Sequence, residues 1–142
     1  MKKLFTFLSI TLFTFIIFSC GSTKAGSNLD VLTAGNWELE TFKGKAAAEA
    51  GFSNKLPVAN FSIDLKISGN NGCNGYRGSY NLNEDGGINI SQMVSTRMFC
   101  PGGGEKLYMD ALNSVNAARV DKDKLVLFKD AEEVLVFKHI SK

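Results

Sequence analysis

The chain has 142 residues, the size of one domain built around one hydrophobic core. Its 16 Lys and Arg stand against 14 Asp and Glu, so it lacks the basic stripe that binding to a phosphate backbone demands. Nucleic acid is excluded as an expected partner.

The first segment, MKKLFTFLSITLFTFIIFSC, does not belong to that core. Lys2 and Lys3 form a positive start, Leu4 to Phe18 an almost unbroken apolar run, and Ser19 precedes Cys20. The run is shorter than the roughly 20 apolar residues that cross a bilayer, which favours a cleaved signal over a retained span. Its end, IFSC, is similar to a bacterial lipobox, in which the cysteine is acylated and begins the mature chain. Residues 1–19 are then a lipoprotein signal peptide, and Cys20 is the lipidation site. Residues 20–28 follow as a small, polar, flexible tether, and residues 29–142 as the folded domain. Several acyl chains on one cysteine hold a protein stably where one chain does so marginally. Gly21 stands where the enterobacterial inner-membrane retention signal has Asp, so the expected place is the outer membrane, facing the periplasm. Loss of Lys2 and Lys3 with the signal leaves 14 basic against 14 acidic residues, a formal net charge of zero.

After the tether, GNWELETFKGK sets Trp37, Leu39 and Thr41 against Glu38 and Glu40, the alternation of a half-buried strand. The alanines of KAAAEAGFSNKLP allow a helical turn, but their glycine and Pro57 favour a loop. VANFSIDLKISG alternates Phe61, Ile63, Leu65 and Ile67 against Ser62, Asp64 and Lys66, which predicts one continuous strand. The turn NNGCNG, the short strand YRGSYNLN, the turn EDGG and a strand with an irregular middle, GINISQMVSTRMFC, come next. Gly102 to Gly104 break the pattern. A helix follows from about Glu105, with Tyr108, Ala111, Leu112 and Val115 on one apolar face and Lys106, Asp110 and Asn113 turned away. Leu125 to Phe128 and Val134 to Phe137, joined by KDAEE, read as a closing hairpin. The expected class is α+β: a single antiparallel, strand-rich domain with one main helix.

Catalytic and metal chemistry find little support. A cysteine nucleophile needs a base, and the one histidine, His139, has no local group to orient it. Two cysteines and one histidine fall short of a four-ligand zinc site. PGGGEK lacks the full phosphate-loop pattern and reads as a plain connection. Glu132 and Glu133, adjacent on a strand, point to opposite faces and make no acid–base pair. No catalytic residue, cofactor or metal is therefore expected. With Cys20 acylated, Cys73 and Cys100 remain as an even pair in an export route that permits disulfides, so a bridge is the default expectation. It closes a loop of about 28 residues, worth about 3 kcal/mol on the loop-entropy model; two separately buried thiols are the alternative. Arg77 and Arg97 are expected to pair with Glu84 or Asp85 in preference to an external anion.

SGNNGCNGYRGSY followed by STRMFCPGGGEKLYMDAL resembles the META domain, a family of small exported proteins that includes heat-shock-inducible bacterial lipoproteins. The matching positions are Gly72, Cys73 and Asn74; Gly78 and Tyr80; Thr96, Met98, Cys100 and Pro101; and Glu105, with Trp37 and the closing LVLF and EVLVF strands in keeping. The glycine run Gly102 to Gly104 departs from the family pattern. The resemblance implies a curved, half-barrel-like antiparallel sheet packed by a helix, no established enzymatic activity, and association with envelope stress, drug tolerance or secretion. Three readings follow: a lipid-anchored protein acting by contact with an unknown envelope protein, a carrier or sensor of a small hydrophobic ligand held between sheet and helix, and, least favoured, an enzyme. The six phenylalanines left after the signal are expected in the core, and Cys73 is expected to staple or pack the GCNGY corner against TRMFC.

Overall fold

A computed structural model describes residues 24–52 and 54–141; the expected signal segment and lipidation site, Cys20, lie outside the described residues. Nine strands form one sheet: β1 (Asn36–Phe42), β2 (Lys45–Ala46), β3 (Val58–Phe61), β4 (Lys66–Asn70), β5 (Gly75–Leu82), β6 (Ile88–Ser95), β7 (Ala117–Val120), β8 (Lys124–Lys129) and β9 (Glu132–Ile140). Helix α1 (Lys24–Thr33) precedes them and α2 (Gly104–Ser114) joins β6 to β7. The spatial order is β6-β5-β4-β3-β1-β9-β8-β7, with β2 folded back on β1, and the strand pairings are antiparallel. The two outermost strands touch at one corner, where Gly87 bridges Ala117 and Ile88 N–H donates to Asn116 O. A sheet whose ends meet there must curl, yet it stays open along the rest of β6 and is not a closed barrel. The α+β half-barrel expected from the sequence is the architecture found.

Several elements differ from the sequence expectation for identifiable reasons. VANFSIDLKISG is a hairpin and not one strand: Leu65 N–H donates to Ser62 O, Ser62 N–H to Lys66 O, and Leu65 has φ 61°. Phe61 pairs with Ile67 and both are buried, whereas Ile63 is 67% exposed. Phe61 and Ile67 are six positions apart, an even number, so the two-residue period runs through the turn unchanged and hides it. In β1 a register shift between Leu39 and Thr41 turns Phe42 inward in place of Thr41. Such a bulge places one extra residue against the partner strand and reverses the faces beyond it. Lys43 and Gly44, both at positive φ, then make the two-residue turn into β2. The alanine segment supplies that short strand and one turn, with Ala47 and Phe52 buried. Residues 24–28, expected in the tether, are the first turns of α1, which ends by offering Leu32 O to the buried Trp37 indole N–H at 2.9 Å. β7 is a further strand beside the expected closing hairpin.

Helix α2 lies across the open side of the sheet. Tyr108, fully buried, meets Phe52, Tyr76 and Phe137 at ring-centroid distances of 6.3, 5.8 and 6.4 Å. Phe42, Phe52, Phe61 and Phe137 are buried and Phe128 is partly covered beneath Arg119, but Phe99 is 93% exposed. The expectation that all six phenylalanines belong to the core thus fails at Phe99. Tyr76 Oη donates to Val58 O at 3.1 Å, and 2.9 Å separates it from Tyr108 Oη. With its proton committed to Val58, Tyr76 accepts from Tyr108, and this relay satisfies both buried hydroxyls.

Burial holds both phenols protonated well above the ordinary tyrosine value. Tyr76→Phe strands the Tyr108 O–H donor and removes a partner of Val58 O, so it is expected to cost about 1–3 kcal/mol in urea unfolding. Tyr108→Phe strands only an acceptor and is expected to cost less. Because the folded state resists phenol ionisation, stability should hold below about pH 10 and fall as pH rises beyond it. Either Phe variant should flatten that fall.

Candidate functional site

The motif residues converge where the β4–β5 turn meets the segment between β6 and α2. Gly72, at φ 99°, allows the chain to reverse. Asn71, buried, accepts at its Oδ1 from the backbone N–H groups of Cys73 and Asn74 at 3.1 and 2.7 Å, so the turn is held by an asparagine side chain. This folds the next side chain, Asn74, into the seam, where it is 2% exposed. Asn74 Oδ1 accepts from Thr96 Oγ1 at 2.8 Å and from Met98 N–H at 2.6 Å. Its Nδ2 donates to Met98 O at 3.0 Å and to Glu105 Oε2 at 2.7 Å. One amide thereby pairs with the backbone of Met98 like an added strand residue and reaches the first turn of α2.

Cys73 and Cys100 form a disulfide with a Cα–Cα distance of 6.0 Å across a sequence separation of 27. The bridge joins the same turn to the same segment as Asn74, one by a covalent bond and the other by four polar contacts. Pro101 and the glycines then lead into α2, with Gly103 at φ 68° capping it. Glu105 in the first turn suits the positive end of the helix dipole, and its carboxylate is engaged by Asn74. Gly78 sits on β5 where a Cβ would lie 2.8 Å from Ser91 O and closer still to Met93 Sδ, so no larger residue fits against the β6 bulge. Tyr80 Oη donates to Ser62 O, tying β5 to the β3–β4 turn.

Cys73, Asn74, Thr96, Met98, Cys100 and Glu105 are thus brought together, while Gly78 and Tyr80 brace β5 farther along. His139 takes no part. Its ring meets Trp37 edge-on at 5.3 Å over Gly35, and β1, β3 and β4 separate its strand from β5. Cys73, bonded to Cys100 and remote from that imidazole, forms no cysteine–histidine pair. Arg77 and Arg97 also depart from expectation: among the described residues neither makes an ion pair with Glu84 or Asp85. The strand geometry is the reason. Glu84 and Asp85 occupy the β5–β6 turn at one end of the hairpin, and Arg77 and Arg97 lie toward the other.

Sequence reasoning did not single out Phe99. Its chain neighbour Met98 is 60% exposed, and Leu107 on α2 is 53% exposed. Phe99, the disulfide, Phe52, Gly72 and Glu105 border a cleft of about 170 Å³. A small-molecule site is typically about 300–1,000 Å³ and encloses most of its ligand, so this cleft is a notch in a contact surface. Among the described residues, no cluster of three or more His, Cys, Asp or Glu is placed to hold a metal.

The curled sheet, the helix across its open side and the GCN and TxMxCP segments locked together by one asparagine and one disulfide define a small α+β scaffold. The META domain model matches residues 30–142, and the chain belongs to the META domain family. Among solved structures, a protein from Burkholderia xenovorans determined by NMR is 26% identical, with a TM-score of 0.65 over 82% of this chain and 88% of that one. A second protein determined by NMR is 22% identical, with a TM-score of 0.61 over 78% of this chain and 93% of its own. A crystal structure of a DUF4847 family protein from Bacteroides vulgatus is 17% identical, with a TM-score of 0.59 over 80% and 97%. The last two likenesses concern the fold alone. No curated protein matches the chain.

Asn74→Asp keeps the side chain's shape but loses the donor and sets a carboxylate against Glu105 Oε2. It is expected to destabilise the domain by about 2–3 kcal/mol near neutral pH. Adding Glu105→Gln should recover a large part of that loss in chemical denaturation, since the amide introduced at position 105 donates to the carboxylate introduced at position 74, where the Glu105 carboxylate had accepted from Asn74. Failure of the second substitution to rescue the first would show that Glu105 is not part of the seam's polar network.

Proposed function

We propose that this META domain is a non-enzymatic, lipid-anchored protein of the cell envelope that acts by contact with another envelope protein, in stress tolerance or secretion. The observation that carries the reading is Phe99. A large apolar side chain 93% exposed is held out on a segment that a disulfide and the Asn74 network both immobilise. An aromatic anchor fixed before binding loses little conformational entropy when a partner covers it, which is the property of an interface hot spot. Met98, its exposed chain neighbour, extends the apolar surface. The apolar run ending at Cys20 supports attachment to the membrane through lipid, with the outer membrane facing the periplasm as the place. Small-ligand carriage has less support: Tyr108, Phe137, Leu112 and Leu135 fill the interior beneath α2, and the groove of about 680 Å³ between β6 and α2 is open to solvent and does not enclose a ligand.

A photo-reactive residue in place of Phe99, in cells expressing the full chain, should give a discrete crosslinked protein adduct. The same residue at Lys122, on the exposed β7–β8 turn, should give none. Cys20→Ala should shift the protein from the membrane to the soluble fraction and weaken the Phe99 adduct. Equal labelling at both positions, or a Cys20→Ala protein that still sediments with membrane, would overturn the corresponding half of the proposal.

A further inference from the structure

A groove of about 680 Å³, open to solvent, runs between β6 and α2, lined by Met93, Ser95, Arg97 and Phe99 on one side and by Lys106 and Met109 on the other. β6 is the terminal strand of the sheet, and past its opening bridge to β7 its outer edge pairs with no strand among the described residues. Thr96 N–H donates inward to Gly75 O and Met98 N–H inward to Asn74 Oδ1. Successive residues of an extended chain send their N–H and C=O to opposite edges. Ser95 and Arg97 therefore direct theirs outward, along the groove.

A row of alternating donors and acceptors is matched by one kind of surface, a second extended backbone; neither a lipid nor a flat apolar face satisfies it. Charge narrows the occupant. Arg97 has no carboxylate at ion-pair distance among the described residues, because Glu105 is bonded to Asn74 and Asp110 to Lys106. The segment Ser91 to Phe99 holds no Asp or Glu, so a second copy of this edge offers Arg97 no counter-ion. The edge is also bounded. Gln92, at φ 54°, sits at the register shift in the β5–β6 pairing, which bends the strand and confines the accessible stretch to the part beyond it.

We propose that the edge from Met93 to Phe99 receives an extended segment of a partner protein as an added strand. That segment places a carboxylate opposite Arg97 and an apolar residue against Met98 and Phe99. The inference rests on the protein-contact reading above and gives the partner's chemistry: an acidic, β-forming peptide stretch.

The full-length protein, purified in mild detergent, is screened against a random dodecapeptide library, and an enriched peptide is resynthesised for anisotropy titration. Enriched sequences should combine β-branched residues with an Asp or Glu. Methylating alternate backbone nitrogens of the peptide should abolish binding. Ser95→Pro removes an outward N–H that no internal bond uses, so it should leave the circular dichroism and thermal midpoint in place while weakening binding about tenfold. Arg97→Glu should redirect selection toward basic residues. An absence of enriched peptides, or binding indifferent to both Ser95→Pro and backbone methylation, overturns the strand-addition proposal; if Ser95→Pro disturbs the fold, the methylated peptide decides alone. A persistent Phe99 crosslink in cells alongside that failure leaves the contact reading standing, whereas loss of both removes both.

Discussion

The fold depends on a buried amide at its seam. A half-barrel that closes at one corner must be held elsewhere, and Asn74 does so by treating the Met98 peptide group as its partner. An asparagine buried without partners would destabilise the domain; here its oxygen accepts two hydrogen bonds and its nitrogen donates to both a carbonyl and a carboxylate. The same residue therefore ties the β4–β5 turn, itself held by Asn71, to the path out of β6 and the start of α2. The disulfide alongside it acts differently. It restricts the unfolded chain whether or not the polar contacts are in place, so the covalent and polar ties constrain one joint by independent means.

With that joint fixed, α2 has one place to lie. Gly103 reverses the backbone, Glu105 anchors the first turn, and Tyr108 one turn later falls over the centre of the sheet. The phenol relay from Tyr108 through Tyr76 to Val58 O then joins the helix to β5 and β3. A polar pair inside an apolar core is a registration device: leucine at position 108 would supply burial, but it would not fix the position of the helix along the groove. The rigidity needed at Phe99 begins with these contacts, several of them far from it in sequence.

How much was legible follows from which interactions are local. The amphipathic face of α2, the alternation of β1 and the glycine turns are set by near neighbours, and they were readable from the sequence. The 58–69 hairpin was not, because an even spacing from Phe61 to Ile67 keeps alternation intact while the chain reverses. The change from Thr41 to Phe42 needed the bulge, which exists only in relation to β9. Asn74 stood out as part of a motif, and a turn-forming role was the available local explanation. Its partners at 96, 98 and 105 are distant in sequence, and no pattern within the turn specifies them. Phe99 was the hardest case: nothing in TRMFC separates a phenylalanine that enters the core from one the disulfide loop holds outside.

That placement makes sense of an otherwise poor design. An open strand edge next to exposed Val94, Met98 and Phe99 is a hazard for self-association, and proteins usually blunt such edges with Lys, Pro or inward charge. Here the remedies are partial: a bulge at Gln92, one arginine, and α2 standing along the far wall of the groove. A wall at that position limits access by a second folded sheet but leaves room for a single extended chain. Arg97 disfavours its own copy, since edge-to-edge pairing gains it no counter-ion. Taken together, the helix wall and the unpaired cation discriminate among entrants by shape and by charge, which is a more specific arrangement than simple closure of the barrel would have required.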